Sequence, residues 1–520
     1  MKNIRHAVFW PPIAILVALL IASAVDLPRF LAVATSVNGW ILSVFSNWFA
    51  IGAFCFVATI VWAFFSPLGA VRIGGPDATP ILKPWSWFAV TLCTTIAIGL
   101  LFWASAEPIY HMYDPGGLPI APGSAEAGRF ALSSLFMHWS FTPYAIYTVP
   151  ALAFALALHN LGKPFSLSGP LSVFLSRPPS GFVTTLDGAA LVTILMGLSA
   201  SLGTGIITIA GGLHRLFGAP SSALLMAVIA AAIVTAFVLS SITGVTRGIR
   251  VLSDINTKFF FLFALLFLFA GPTLTLLHAG AVAVSDYVVQ FLPRSFVMGE
   301  FSNREWANNW TVFYWANWLA WAPITAMFLG QIGRGYTVRA FILANFFLPA
   351  IFAMVWMTIF GGIAINIDLT THGALKAVLD RSGPEGVMFA VLDQFPLSHL
   401  LAALLVVISF ISYVTGADCN LDAIANLCSR DQNNPSMNST LFIKVVAGAL
   451  VGFAAWVMTA FTGIDGIRML SNWGGLPALF IVGGMNAALV FMGSRRLDAL
   501  RQNPPKNGLT PGAEGVVPPR

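Results

Sequence analysis

Two segments concentrate aromatic side chains inside otherwise apolar runs: FMHWSFTPYAIY at 136–147 and WANNWTVFYWANWLAWAP at 306–323. In the second, Trp315, Trp318 and Trp321 recur every three residues. At 100° per residue they form one helical stripe that drifts by about 60° per step. In the first, Trp139 and Tyr147 project within roughly 80° of each other, and Pro143 between them weakens the helix. Such rings suit one chemistry well. A quaternary ammonium group has no N–H to donate, but aromatic faces attract it at ~0.5–2 kcal/mol per ring. Three or four rings could therefore hold it in a membrane interior without burying a carboxylate. Two plainer readings stay open beside this one. Trp and Tyr gather as belts at membrane interfaces, which fits Trp306 and Trp310 at the start of their run, and rings deeper inside can simply pack helices.

No enzyme signature accompanies the rings. The histidines His6, His111, His138, His159, His214, His278, His372 and His399 are scattered, without HExxH or any paired metal-ligand spacing. A charge at mid-bilayer costs at least ~2.5–3.5 kcal/mol, and the apolar runs are nearly free of ionisable groups. Asp418, at one end of the tenth run, is the nearest candidate, so no carboxylate relay is expected. Cys55, Cys93, Cys419 and Cys428 lack ligand spacing and read as free thiols. No catalytic residue, no certain metal and no cofactor is expected. The basic residues form no patch with interleaved aromatics, so no nucleic-acid partner is expected either.

The elements that must position these rings are set by composition. Of 520 residues, 58% are hydrophobic and 9% charged, against about 25% charged in soluble proteins. Lipid must therefore be the solvent for much of the surface. Apolar runs long enough to cross roughly 30 Å of hydrocarbon fall near 8–25, 41–65, 85–104, 130–158, 185–213, 220–243, 257–279, 308–332, 338–366, 397–417, 440–462 and 470–492. Placing both termini on the cytoplasmic side puts 18 of the 26 Lys and Arg residues in inner loops and ends, the positive-inside pattern. The N-terminal run has no small-residue cleavage site and reads as a retained first span. Residues 282–296 are short and amphipathic, suited to the outer interface. The stretch 371–396 carries enough charge to be a wet outer excursion. The tail after Gly493, rich in Pro and Gly, is expected to be disordered.

Ordered motifs carry a further reading. WTVFYWANWLAWAPITAMFLGQIGRGYTVR runs from Trp310 to Arg339 and MHWSFTPYAIY from Met137 to Tyr147. VRIGGPDATP (71–80), GLLFWASAEPIYH (99–111), SLGTGI (201–206), GVTRGIRVLS (244–253) and VTGADCN (414–420) accompany them. In these motifs the chain resembles the betaine/choline/carnitine transporter family from about residue 65 to 425. The resemblance implies an all-α polytopic membrane protein of twelve transmembrane helices, with a core similar to that of amino-acid/sodium symporters. That core would be two five-helix inverted repeats, 66–280 and 301–492. Two helices (1–65) would precede it, an interfacial helix (281–300) would separate the repeats, and a short cytoplasmic tail (493–520) would follow. It further implies secondary active transport of a small quaternary-ammonium solute of betaine, choline or carnitine type by alternating access. A homotrimer in the inner cell membrane is implied as well.

Carried over residue by residue, the resemblance places Trp139, Tyr144, Tyr147 and Trp318 in the substrate cage, with Trp321 and then Phe328 along the cytoplasmic route. Several positions depart from the family pattern. Asn317 replaces one ring of a Trp pair, Tyr144 replaces a Trp, Ala320 a Ser, and Gln331 and Tyr336 replace basic residues. Asn317 beside the cage could accept a substrate with an extra hydrogen-bonding group. In sodium-dependent members an ion sits between the third and tenth helices. The matching positions are the carbonyls of Cys93, Ile96 and Ser412 and the side chain of Thr415, but Gly416 stands where a Ser hydroxyl is usual. One hard oxygen ligand is thus lost, which favours proton-driven transport or exchange over sodium coupling. Two alternatives stay open: transport of another small organic ion or a sulfonium compound, and a non-transporting membrane sensor. Gly203, Gly205, Gly211 and Gly212 read as helix-packing positions.

Overall fold

A computed structural model describes residues 3–95, 99–175, 179–243, 246–299, 303–430 and 437–504. Helices α1 (His6–Val25), α2 (Leu27–Phe65), α3 (Pro84–Thr95), α4 (Gly99–Tyr113), α5 (Ala125–Trp139), α6 (Phe141–His159) and α7 (Ser168–Leu171) come first. They are followed by α8 (Ser180–Phe217), α9 (Ala223–Thr243), α10 (Thr246–Ala270), α11 (Thr273–Ser295), α12 (Arg304–Ala307) and α13 (Phe313–Ile332). The last are α14 (Val338–Ile342), α15 (Leu348–Thr370), α16 (Ala374–Leu392), α17 (Ser398–Cys428), α18 (Met437–Thr462), α19 (Ile464–Arg495) and α20 (Leu497–Leu500). The described residues form no β-strand, only isolated bridges. Among them, nine helices are long and apolar enough to cross a membrane.

The breaks within apolar runs have local causes. Pro143 has no N–H for the Trp139 carbonyl and its ring would collide with that oxygen, so the helix stops at Trp139 and restarts at Phe141. Ser140 between them takes φ −114°, ψ −118°. The expected seventh run, 257–279, is divided at Gly271–Pro272, because a residue before proline is pushed out of the helical region. The amphipathic piece expected at 282–296 is accordingly the second half of α11, which starts at Thr273. Arg294 ties α11 inward, donating to Ser133 of α5 at 2.7 Å and pairing with Asp286 at 2.6 Å. Two π turns, Asn308–Val312 and Leu343–Phe347, interrupt the helices that continue into α13 and α15; such turns shift the register of one face and often lie at functional sites.

The ring-bearing helix α13 is central and packs on α6, α8 and α19. Small residues let it come close. A β-carbon on Gly475 of α19 would stand 2.5 Å from the Ala316 Cα, and one on Gly330 would stand 2.7 Å from the Ala151 carbonyl of α6. Gly203, Gly205, Gly211 and Gly212 of α8 lie against the side chains of Thr459, Tyr413, Glu385 and Val406. Association in lipid depends on such packing, since the solvent is as apolar as the side chains.

At one end of the bundle the segment after α2 pairs with the turn after α13. Gly335 donates to the Ile73 carbonyl at 2.8 Å, Ile73 to Tyr336 at 2.9 Å and Val338 to Val71 at 2.9 Å. Asn160 closes the corner, accepting from Gly74 N–H and donating to the carbonyls of Arg72 and Leu500. Tyr336, one of the altered positions, stacks on Trp87 at 3.9 Å and donates to the Leu82 carbonyl. A flat ring contact there stands in for a charge. Cys55 is exposed and Cys428 buried, and both are free thiols.

Gly475→Val is expected to cost about 1–3 kcal/mol through overpacking. Gly483→Ala, whose added carbon meets nothing within 4 Å, should be neutral or stabilising by up to ~1 kcal/mol; thermal unfolding in detergent compares the two. A second expectation concerns α16, where burial pushes the Glu385 carboxyl up to about 7. A raised acid contributes its stability fully below the ordinary carboxylate range and loses it as pH rises through about 7. Protection factors of residues 374–392, with the intrinsic pH dependence of exchange divided out, should therefore fall from roughly pH 6 to roughly pH 8, and Glu385→Gln should flatten that change.

Candidate functional site

The four rings singled out in the sequence converge on one place. Trp139 ends α5, Tyr144 and Tyr147 lie on α6 and Trp318 lies on α13, and all four are buried. Their ring centroids lie 5.7 Å (Trp139), 5.7 Å (Tyr144) and 5.0 Å (Tyr147) from that of Trp318, at interplanar angles of 77°, 54° and 62°. Edges meet faces, as ring quadrupoles prefer. The break at Ser140 lets rings from α5 and from α6 address the same partner. Trp318 is anchored by its indole N–H, which donates to the His138 carbonyl at 3.1 Å.

Tyr314 is a fifth ring of this group, 5.2 Å from Trp139. It stands four residues before Trp318, hence on the same helix face, and that spacing could have identified it. The side-chain oxygen of Asn317 accepts from the Ser471 hydroxyl of α19 at 3.3 Å. In this arrangement the amide is thus tied to α19. Trp321 is half-buried and lines a cavity of about 50 Å³ with Leu198, Ser201, Phe237, Tyr413 and Gly416. A space of that size holds a few waters. Phe328, further along α13, is 37% exposed.

Of the candidate ion-site residues, Ile96 lies outside the described residues, as do the side chains of Cys93 and Thr415. Ser412 is buried. Gly416 is at the wall of the cavity, and its carbonyl already accepts from the Asn420 amide at 2.7 Å. A β-carbon at Gly416 would meet nothing within 4 Å, so the missing hydroxyl is not enforced by lack of room.

Behind Trp139 lies a group that contradicts the expectation of an interior without a carboxylate. Glu107 of α4 is fully buried. Its Oε1 faces His111 Nε2 at 3.1 Å and His138 Nδ1 at 2.6 Å. Its Oε2 accepts from Trp139 Nε1–H at 2.8 Å and, at very short range, from the Tyr314 hydroxyl. His138 also meets the Thr311 hydroxyl through Nε2 at 3.1 Å and stacks on Tyr314 at 4.7 Å. The expected third run ended at 104, whereas α4 continues to Tyr113. Glu107 and His111 thus fall inside the bundle, on one face of a helix by their spacing of four. His138, 27 residues further on, is brought in by the packing of α5 on α4. Ligand atoms of Glu107, His111 and His138 lie within 4.8 Å of one another. In this arrangement the Glu107 carboxylate is held by hydrogen bonds from within the cluster. A buried charge requires such donors.

Known proteins resemble this chain over nearly its whole length. The profile of the betaine/carnitine/choline family transporters matches residues 7–496. The glycine betaine transporter OpuD of Bacillus subtilis is 30% identical over 488 residues, 93% of this chain and 93% of its own. An ectoine/hydroxyectoine transporter of Virgibacillus pantothenticus is 28% identical over 496 residues, 95% of this chain and 97% of its own. The high-affinity choline transport protein of Escherichia coli is 29% identical over 476 residues, 90% of this chain and 69% of its own. These relatives are transporters and not enzymes. With a profile that matches nearly its whole length, this chain belongs to the betaine/carnitine/choline transporter family.

Proposed function

We propose that this protein is a secondary active transporter of small quaternary-ammonium solutes of betaine, choline or carnitine type, working by alternating access. The observation that carries the reading is the convergence of Trp139, Tyr144 and Tyr147 on Trp318. Relatives named for glycine betaine and choline support the substrate class. A cation within about 6 Å of each ring gains ~0.5–2 kcal/mol per ring, more when desolvated. Because Trp318 itself touches the other three rings, substrate entry requires it to move away from them. Its anchor is a single bond to the His138 carbonyl, at the edge of the helix break. A movement of α13 against α6 would open the cage, and Trp321 and its cavity lie further along the same helix. Asn317 is held by Ser471 in the present arrangement and becomes available to substrate when α13 and α19 separate.

The broader architecture follows the same reading. Two inverted five-helix repeats, 66–280 and 301–492, preceded by two helices, would place the cage between repeats near the membrane midplane. The distribution of Lys and Arg supports cytoplasmic termini in an inner membrane, and α11 is suited to the outer interface and to contacts in a homotrimer. Loss of the hydroxyl at Gly416 supports transport that does not use sodium. An ectoine/hydroxyectoine transporter among the relatives gives the alternative substrate class, another small organic ion, a specific footing.

Uptake of radiolabelled betaine, choline and carnitine into proteoliposomes tests the reading. Wild type should accumulate at least one of them, and Trp318→Ala should lose more than about tenfold of that uptake while Trp318→Phe keeps a measurable share. No uptake of any of the three by folded protein would refute the substrate class. Replacing a sodium gradient by potassium should change wild-type uptake less than about twofold; a strict sodium requirement would show that the remaining oxygens complete an ion site without a hydroxyl at Gly416.

A further inference from the structure

We propose that the Glu107–His111–His138 cluster is a proton-binding site linked to the aromatic cage, and that a cationic substrate entering the cage weakens its hold on one proton. The inference rests on the transport reading above and specifies its coupling ion. It stands on hydrogen-bond geometry. Trp139 can only donate through its indole N–H, and both it and Tyr314 point at Oε2. The carboxylate form of Glu107 is therefore the one the cluster is built for. With both imidazoles neutral, each donates one N–H to Oε1, and His138 Nε2 accepts from Thr311. His111 Nδ1 then has no hydrogen-bond partner. That form leaves one negative charge buried, with no Lys or Arg in contact among the described residues. One further proton, on either imidazole, makes an ion pair with Glu107 and brings the cluster to neutrality. His138 accommodates it by letting Thr311 accept in place of donating.

Two bonds carry the state of this cluster to the cage. Trp139, a cage ring, is held directly by Oε2. Trp318 is held by the carbonyl of His138, whose side chain binds Oε1. The facing groups come from three elements: His111 beside Glu107 on α4, His138 on α5 and Tyr314 on α13. Further out, Asp114 lies near His111, and Arg468 of α19, paired with Asp465, lies over the Trp310 ring at 4.7 Å. The acidic groups of α15 and α16 face elsewhere: Asp368 bonds Tyr113, and Asp380 and Glu385 act on Tyr110. No fixed cation thus competes for Glu107, and a substrate cation about one indole's width away is the natural replacement for the proton. Like charges at ~10 Å in a medium of effective dielectric ~20 disfavour each other by roughly tenfold in affinity. By reciprocity the substrate lowers proton affinity by the same factor.

The sign follows. The protonated cluster is neutral, dominates at low pH and lacks the negative charge that attracts the cation, so affinity rises with pH across roughly pH 5 to 8, where histidine ordinarily titrates. The test is calorimetric titration of choline and of betaine into purified protein, each in two buffers of different ionisation enthalpy. The expected result is release of about half a proton per choline bound near the middle of that range and a roughly tenfold gain in choline affinity across it. Glu107→Gln should bind choline with neither effect, and His111→Asn, which leaves the bonds to Trp139 and Tyr314 in place, should diminish both. Wild-type binding that is flat in pH and releases no proton overturns the proposal even if the variants fail to fold. Absence of binding by choline, betaine and carnitine alike would instead sink the substrate reading on which it rests.

Discussion

A carboxylate buried where lipid surrounds the protein must find its donors inside the protein, and Glu107 finds four, from α4, α5 and α13. Leaving such a charge unpaired would cost more than most single contacts contribute. The three helices are thereby bound to one relative placement. The rings follow from it: Trp139 turns its N–H to the carboxylate and keeps its face for Trp318, while Trp318 turns its own N–H to the His138 carbonyl. Polar edges look towards the cluster, and the rings meet one another away from it.

That placement depends on features of the backbone that look like weaknesses. The break at Ser140 divides one long apolar run so that rings of two helices can meet. The π turn ahead of α13 adjusts the register between Thr311, which meets His138, and the rings that follow. Gly475 and Gly330 let α19 and α6 close on α13 to backbone contact. At the end of the bundle, the pairing of residues 71–74 with 335–338 explains why two separate motifs carry turn residues. Gly335, at φ 88°, brings its backbone against Thr79 and Pro80, where a side chain has no room.

The departures from the family pattern become physical statements once placed. Tyr336 exchanges a charge for stacking on Trp87, and Asn317 exchanges a ring for a polar tie to α19. At Gly416 there is open space where a side chain would stand. The family's members are named for several different solutes.

Composition and periodicity were enough to establish a helical chain solvated by lipid, because the scarcity of charge and the length of apolar runs are properties of the chain alone. The motif around Trp310–Arg339 was enough for the family, and the spacing of Trp139, Tyr147 and Trp318 for the rings. The ends and breaks of helices were less legible: α4 outlasts its apolar run and α10 stops at Gly271, since burial by neighbours lets polar residues continue a helix and proline ends one inside an apolar stretch. The cluster was not legible at all. Glu107 and His111 looked like residues beyond a membrane edge, and His138 like one of several isolated histidines. Only the packing of α4, α5 and α13 makes them one site, because a charge becomes tolerable in such an interior through partners that are distant in the sequence.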